Sequence, residues 1–283
     1  MGKFARTWQL MGASWRTLRQ DKRLIVFPMI SGVALACVIA LFAFPAYVAL
    51  GAHPRPSGSV QMSLPMYAAM FVFYFLDYFV IVFFNSALIA CVLKQIDGER
   101  STIGYGLAIA WQRLPQILGW ALLTSTVGML LRLLEQKVGF VGRLVVGLLG
   151  MAWSVTSFLV VPVLVVEGSG PIESYKRSVE MLKRTWGEQI IGNVSFGLIF
   201  GLFGIVPAMI LFFFAVKAGP GAILVMGAFL VIWLVALALV QSTLQTIYQV
   251  AIYLYAANGE APAGFDNQLV AGAFREKSSK NWL

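Results

Sequence analysis

The chain has one histidine and two cysteines in 283 residues, and Asp, Glu, Lys and Arg together make up only 12% of it. One histidine excludes a zinc site with two histidines on a helix, and with it any HExxH arrangement, within a single chain. A Ser-His-acid triad would have to use His53, which stands in a Pro-rich stretch with no GxSxG turn to accompany it. No Walker motif and no dinucleotide-type GxGxxG is present. The chain is therefore expected to hold no cofactor, to have no catalytic or metal-binding residue, and not to be an enzyme. Cys37 and Cys91 both fall inside apolar runs. They read as small buried residues, which says nothing about redox compartment.

What is abundant is apolar sequence, 59% of the residues. Average soluble domains are roughly 45–50% apolar and about 25% charged. A hydrocarbon core of about 30 Å takes ~20 apolar residues of helix to cross. Stretches of that kind lie at about 24–51, 66–93, 115–134, 144–166, 190–215 and 222–254. The first is too long for the core of a cleaved signal peptide and is read as a retained span. The start MGKFAR lacks the Ser or Thr that myristoylation uses at its sixth position. With six spans, sixteen basic residues fall on one side and five on the other. The excess marks the cytoplasmic side, so both termini are expected there. The net charge of +9 is spread among short segments rather than gathered in a basic domain, so nucleic acid is not an expected partner. The fold class this predicts is an all-α membrane protein, because an open strand would leave backbone groups unpaired in lipid.

The segments before three of the spans have helical periodicity of their own. Phe4, Trp8, Met11, Trp15 and Leu18 recur at spacings of four and three, with Arg6, Arg16 and Arg19 off that face. Ile172, Tyr175, Val179, Leu182 and Trp186 repeat the pattern, with Pro171 suited to the first turn and Gly187 to the stop. A looser copy uses Ile103, Leu107, Trp111 and Leu114. The exits also match: AWQRLPQILG enters the third span and KRTWGEQIIG the fifth. Three units are inferred, at about 1–93, 101–166 and 171–257, each a cytoplasmic interfacial amphipathic helix followed by a transmembrane hairpin, within one membrane domain that ends in a tail at 258–283. Such helices lie in the headgroup layer and anchor the adjoining hairpin. Trp8, Trp15, Arg16, Arg19, Lys176, Arg177, Lys183, Arg184 and Trp186 are the candidate lipid-headgroup contacts. Membrane lipids are the expected partners, with a second copy of the chain or another membrane protein as the protein partners the pattern allows.

Polar groups inside spans are functional candidates by default. Asp77 is the one acid well inside a span, in FYFLDYFVIVFFN. Arg132 and Arg143 lie near the outer ends of the third and fourth spans, where either could reach Asp77 as an ion pair; a proton or cation site is the other reading. Asn85 lies further along the same span. Gln241, Gln245 and Gln249 form a stripe at spacing four, read either as interhelical hydrogen bonding or as the lining of a wet vestibule. In GLIFGLFG, Gly197 and Gly201 form a GxxxG with Gly204 beside it, which favours an internal packing seam over an oligomer contact.

Three segments carry a resemblance: EGSGPIESYKRSVEMLKRTWGEQIIGN from Glu167, the tail IYLYAANGEAPAGFD followed by GAFR, and TWQLMGASWRTLRQDKRLIVFP near the start. Together they resemble a family of bacterial multi-pass membrane proteins known only as a domain of unknown function. The resemblance implies an inner-membrane helical protein and no assigned activity. The helix-plus-hairpin pattern also faintly resembles the membrane domain found beside some glycerophosphodiester phosphodiesterases, without any phosphodiesterase domain to carry catalytic residues here. The leading expectation is a non-enzymatic protein acting through lipid or protein contacts. A small-solute or ion transporter or channel, with a path past Asp77, Asn85 and the Gln stripe, is the alternative.

Overall fold

A computed structural model describes residues 3–52, 63–184, 200–211, 213–214, 217, 220–259, 262 and 265, with the backbone alone at 3–10, 46, 48–52, 184, 220 and 222. Among them there is no strand. The helices are α1 (Lys3–Gln20), α2 (Val26–Ala52), α3 (Leu64–Ile96), α4 (Ile103–Gln112), α5 (Leu114–Lys137), α6 (Phe140–Thr156), α7 (Val160–Glu167), α8 (Pro171–Arg184), α9 (Phe200–Leu211) and α10 (Pro220–Asn258). A 3-10 turn at Lys22–Ile25 joins α1 to α2.

Among the described residues, five helical stretches are long and apolar enough to cross a membrane: Lys22–Pro45, Leu64–Ile96, Leu114–Lys137, Phe140–Glu167 and Ile223–Asn258. They match five of the six expected spans. For the remaining one, at 190–215, the described part is the shorter apolar helix α9, and residues 190–199 lie outside the described residues. Large apolar side chains stand exposed along these helices, among them Leu41, Phe44, Phe140, Leu144 and Ile232. Apolar surface on that scale is far beyond the few hundred Å² that a soluble monomer shows. At 39 residues, α10 is roughly 58 Å long, about twice the thickness of a hydrocarbon core.

The chain divides into two compact units. The first takes residues from Met1–Ile25, Val92–Glu99 and Met181–Leu283. Here α1 packs on the C-terminal half of α10, and the 3-10 turn packs on both. Met11, Ser14, Leu18 and Leu24 are buried on one side, Leu244 and Ile247 to Tyr253 largely on the other. Gln95 donates to the Thr17 carbonyl at 2.9 Å, tying the end of α3 to α1. A Cβ placed on Gly204 would lie 3.4 Å from Leu234, and the Trp233 indole donates to the Phe203 carbonyl at 3.2 Å, so α9 lies against α10. Gly204 thus sits on an internal seam, whereas a Cβ on Gly201 would meet nothing within 4 Å, and Gly197 lies outside the described residues.

The second unit takes Val26–Cys91 and Arg100–Glu180. Its core lies at one end of its helices: Ser86 to Cys91 in the last turns of α3, Ile117, Trp120 and Ala121 in the first turns of α5, Leu159 just before α7, and Val160 to Val165 within it. The opposite ends of α3 and α6 are largely exposed. The two short helices α4 and α8 attach at the core end. In α4, Gly106 and Ala110 are buried and Trp111 is exposed. A Cβ on Gly106 would lie 2.6 Å from the Ala87 carbonyl oxygen, 2.7 Å from Cys91 Sγ and 2.9 Å from Phe27. Thr102 caps α4 by accepting from the Tyr105 N–H at 3.2 Å.

One expected span is not a continuous helix. The stretch at 144–166 is broken between Thr156 and Val160, dividing α6 from α7. Pro162 explains the position: it has no N–H to give the Phe158 carbonyl, and its ring would press on that carbonyl in a continuous helix.

Candidate functional site

The site is the seam where α8 closes over the break. Helix α8 begins with Pro171 in its first turn and carries Glu173 there, both favourable at an N-terminus. Gly168 makes the turn into it with φ +66°, a left-handed conformation that costs glycine little. Pro171 seats on α5 over Gly119, where a Cβ would lie 2.7 Å from Pro171 Cγ. One turn on, Tyr175 stacks on Trp153 of α6 (5.1 Å between centroids) and on Trp120 of α5 (6.3 Å), while the two indoles stack on each other at 5.7 Å. The Tyr175 and Thr156 hydroxyls are 3.1 Å apart.

Ser178 then closes the break. Its hydroxyl donates to the Thr156 carbonyl at 2.7 Å and accepts the Leu159 N–H at 3.2 Å. Thr156 and Ser157 also turn their hydroxyls onto α6 carbonyls, with Ser157 2.7 Å from the Trp153 oxygen. Backbone groups freed by a broken helix in lipid must find partners, and here a neighbouring helix supplies them. The start of α5 holds the other end of α7. Arg113 Nε donates to the Val165 carbonyl at 3.3 Å, its guanidinium lies against Gly168, and Gln116 donates to the Gly168 carbonyl at 3.4 Å. A cation at a helix C-terminus also meets the negative end of the helix dipole.

Most of the expected stripe of α8 faces inward: Leu182 is buried and Tyr175 is held in the stack with Trp120 and Trp153. Ser174 and Ser178 are buried, Tyr175 and Val179 are half-buried, and Ile172 is 62% exposed. The helix packs inward by its small hydroxyl residues, which permit close approach, together with most of its apolar stripe, and leaves Ile172 outward. The same holds for Gly106 and Ala110 against Trp111 in α4. Ser174 and Ser178 at spacing four, and Pro162, are the sequence signals of this packing.

The expected headgroup contacts divide. Arg177 lies 3.6 Å from Glu167 and 3.7 Å from Glu180. Lys176 and Lys183 are exposed. Arg19 sits 5.3 Å over the Trp15 ring, with Trp15 itself 39% exposed, and Arg16 is exposed. Trp186 and His53 lie outside the described residues, and the side chains of Trp8 and Arg184 are not described.

The intramembrane candidates do not form the expected ion pair. Arg132 donates to the Tyr74 hydroxyl and lies 5.7 Å over the Tyr74 ring. Arg143 is exposed. Among the described residues neither arginine forms a salt bridge with Asp77, whose Oδ1 has no hydrogen-bond partner. The physical reason is position: Tyr74 lies one turn closer than Asp77 to the start of α3 and meets Arg132 first. Asn85 is half-buried. These residues belong to the second unit, whereas Gln241, Gln245 and Gln249 belong to the first. There Gln249 is buried and Gln241 and Gln245 half-buried, while Thr243 and Thr246 return their hydroxyls to the Leu239 and Ser242 carbonyls. Neither Gln245 nor Gln249 is free of interactions.

Helices of spanning length with exposed apolar faces, and a broken span closed by a neighbouring helix, define an all-helical protein of the membrane type. The chain belongs to DUF6159, a family of unknown function, matched over residues 64–265. No curated protein and no solved structure matches it.

Proposed function

We infer that the protein is a non-enzymatic integral scaffold of the bacterial inner membrane, working through lipid or protein contacts at the cytoplasmic face. The observation that carries this reading is the Ser178 bridge: the freed backbone of a broken span is answered by protein, where a transport site would leave it to cargo or water. The core packed beside α4 and α8 supports the same reading. In this proposal the chain makes six spans in three hairpins, each led by an interfacial amphipathic helix. Both termini are cytoplasmic, and membrane lipids, a second copy or another membrane protein are the partners. Reporter fusions at each terminus and after residue 58 test the sidedness; an outward-facing reporter at either terminus would sink it. Proteoliposomes loaded with ion- and pH-sensitive dyes test the role, and the expected result is no flux above empty vesicles.

One observation favours a second reading, a small-solute or ion path. Asp77 Oδ1 and Thr124 Oγ1 are buried without a hydrogen-bond partner among the described residues. Flux that disappears in Asp77→Asn, with the protein still folded, would replace the scaffold by a transporter.

A further inference from the structure

An open concavity of about 620 Å³ lies at the start of α8, lined by Gly170, Pro171, Ile172, Glu173 and Lys176. Its floor is fixed, because Pro171 is seated on Gly119 of α5. Its lining is mostly apolar and includes one acid and one base a single turn apart, Glu173 and Lys176. Among the described residues neither Glu173 nor Lys176 is in a salt bridge, although the next base, Arg177, is held by two carboxylates. A site for a simple anion would be opposed by Glu173, and a site for a simple cation by Lys176. The pair complements a ligand that carries both charges on one short arm. We propose that the concavity is a binding site for the headgroup of a zwitterionic phospholipid, with Lys176 on the phosphate and Glu173 on a primary ammonium.

The ammonium of an ethanolamine headgroup donates hydrogen bonds to a carboxylate, and a choline headgroup has none to give. Side chains three apart on a helix are neighbours at about 5–6 Å, a spacing that matches the reach from phosphate to ammonium in an ethanolamine phosphate. Ile172, 62% exposed, adds an apolar wall, and α5 exposes Leu118 and Leu122 for acyl chains. Gly170 lines the mouth, and a Cβ there would meet nothing within 4 Å, so a larger side chain can enter the concavity without displacing the fold.

This site deepens the proposed role and rests on lipid contact being part of it. The test is native mass spectrometry of the full chain released from detergent with phosphatidylethanolamine, phosphatidylcholine or phosphatidylglycerol added. The wild-type chain is expected to retain phosphatidylethanolamine roughly tenfold better than either of the others, the size of one charge-assisted hydrogen bond. Glu173→Gln should remove that preference and Lys176→Gln should weaken retention of all three. Gly170→Leu should remove the preference without touching either charge. The near-UV signal of the Trp120–Trp153–Tyr175 stack monitors the fold in each variant. Equal retention of the three lipids by the wild type, preference for phosphatidylglycerol, or an ethanolamine preference that survives Glu173→Gln or Gly170→Leu would overturn the site. A chain that carries flux yet keeps the selectivity would overturn the scaffold role and support the site.

Discussion

Ser178 and Thr156 are joined across two helices, the hydroxyl of one donating to the carbonyl of the other at 2.7 Å. The same hydroxyl receives the Leu159 N–H, so one small side chain satisfies both edges of a broken helix. Removing it leaves a buried N–H and a part-buried carbonyl without partners, at about 1–3 kcal/mol for a fully buried group. Ser178→Ala should therefore lower the unfolding free energy in detergent by about 1–3 kcal/mol, as read by steric trapping or chemical denaturation. Pro162→Ala in that background should recover part of the loss, because a continuous helix can then pair the same groups internally. A Ser178→Ala protein as stable as wild type would show that water serves the break.

Gly106 and Gly104 make a paired test of how α4 attaches. A Cβ at Gly106 would press on a backbone oxygen, Cys91 Sγ and Phe27, all within 3.0 Å; at Gly104 it meets nothing within 4 Å. Gly106→Ala should destabilise by about 1–3 kcal/mol through overpacking. Gly104→Ala should be neutral or stabilising by ~0.5–1 kcal/mol, since alanine is the better helix former. Cys91 is buried and Cys37 exposed. In a Cys37→Ser background, Gly106→Ala should also speed the alkylation of Cys91. Equal effects of the two glycine substitutions would argue against this docking.

The end of α7 depends on Arg113. Its side chain meets the Val165 carbonyl and fills the space beside Gly168, whose φ is +66°. Gly168→Ala adds about 1 kcal/mol of backbone strain and drives a methyl into the guanidinium. Arg113→Lys keeps the charge but not the planar fork and should not restore the wild-type melting temperature. Thermal melts of both variants, with Gly170→Ala as the unstrained control, should show Gly168→Ala as the most destabilised of the three.

Apolar length made the spans readable, since a bilayer imposes it on each segment whatever its neighbours are. What α8 does was not readable in the same way. Its stripe of Ile172, Tyr175, Val179 and Leu182 has the period of a surface helix, and apart from Ile172 it does turn inward. What the period does not register is that Ser174 and Ser178 go inside beside that stripe, where small residues permit close approach. Arg113 and Gln116 were visible within a repeated exit motif, but their partners lie 52 residues away, a distance that periodicity does not register. The expected arginine partner for Asp77 failed for a similar reason. Charge picked the carboxylate, whereas the helical register brought a tyrosine.

That register leads to the last expectation. Because Arg132 engages Tyr74 through a hydrogen bond and the ring face, and forms no salt bridge with Asp77, the two residues should respond independently to mutation. Arg132→Ala and Tyr74→Ala are each expected to destabilise. In a double-mutant cycle they should couple by about 0.5–2 kcal/mol, the range of a cation over an aromatic ring. Asp77→Asn should leave membrane levels and the unfolding midpoint near wild type, and its cycle with Arg132→Ala should show no coupling beyond ~0.5 kcal/mol. Strong coupling between Asp77 and Arg132 would restore the ion pair and displace Tyr74 as the partner. Absent that coupling, an intact Asp77→Asn protein makes Asp77 a clean reporter of transport, since any change in proteoliposome flux would then come from the lost carboxylate and not from a damaged fold.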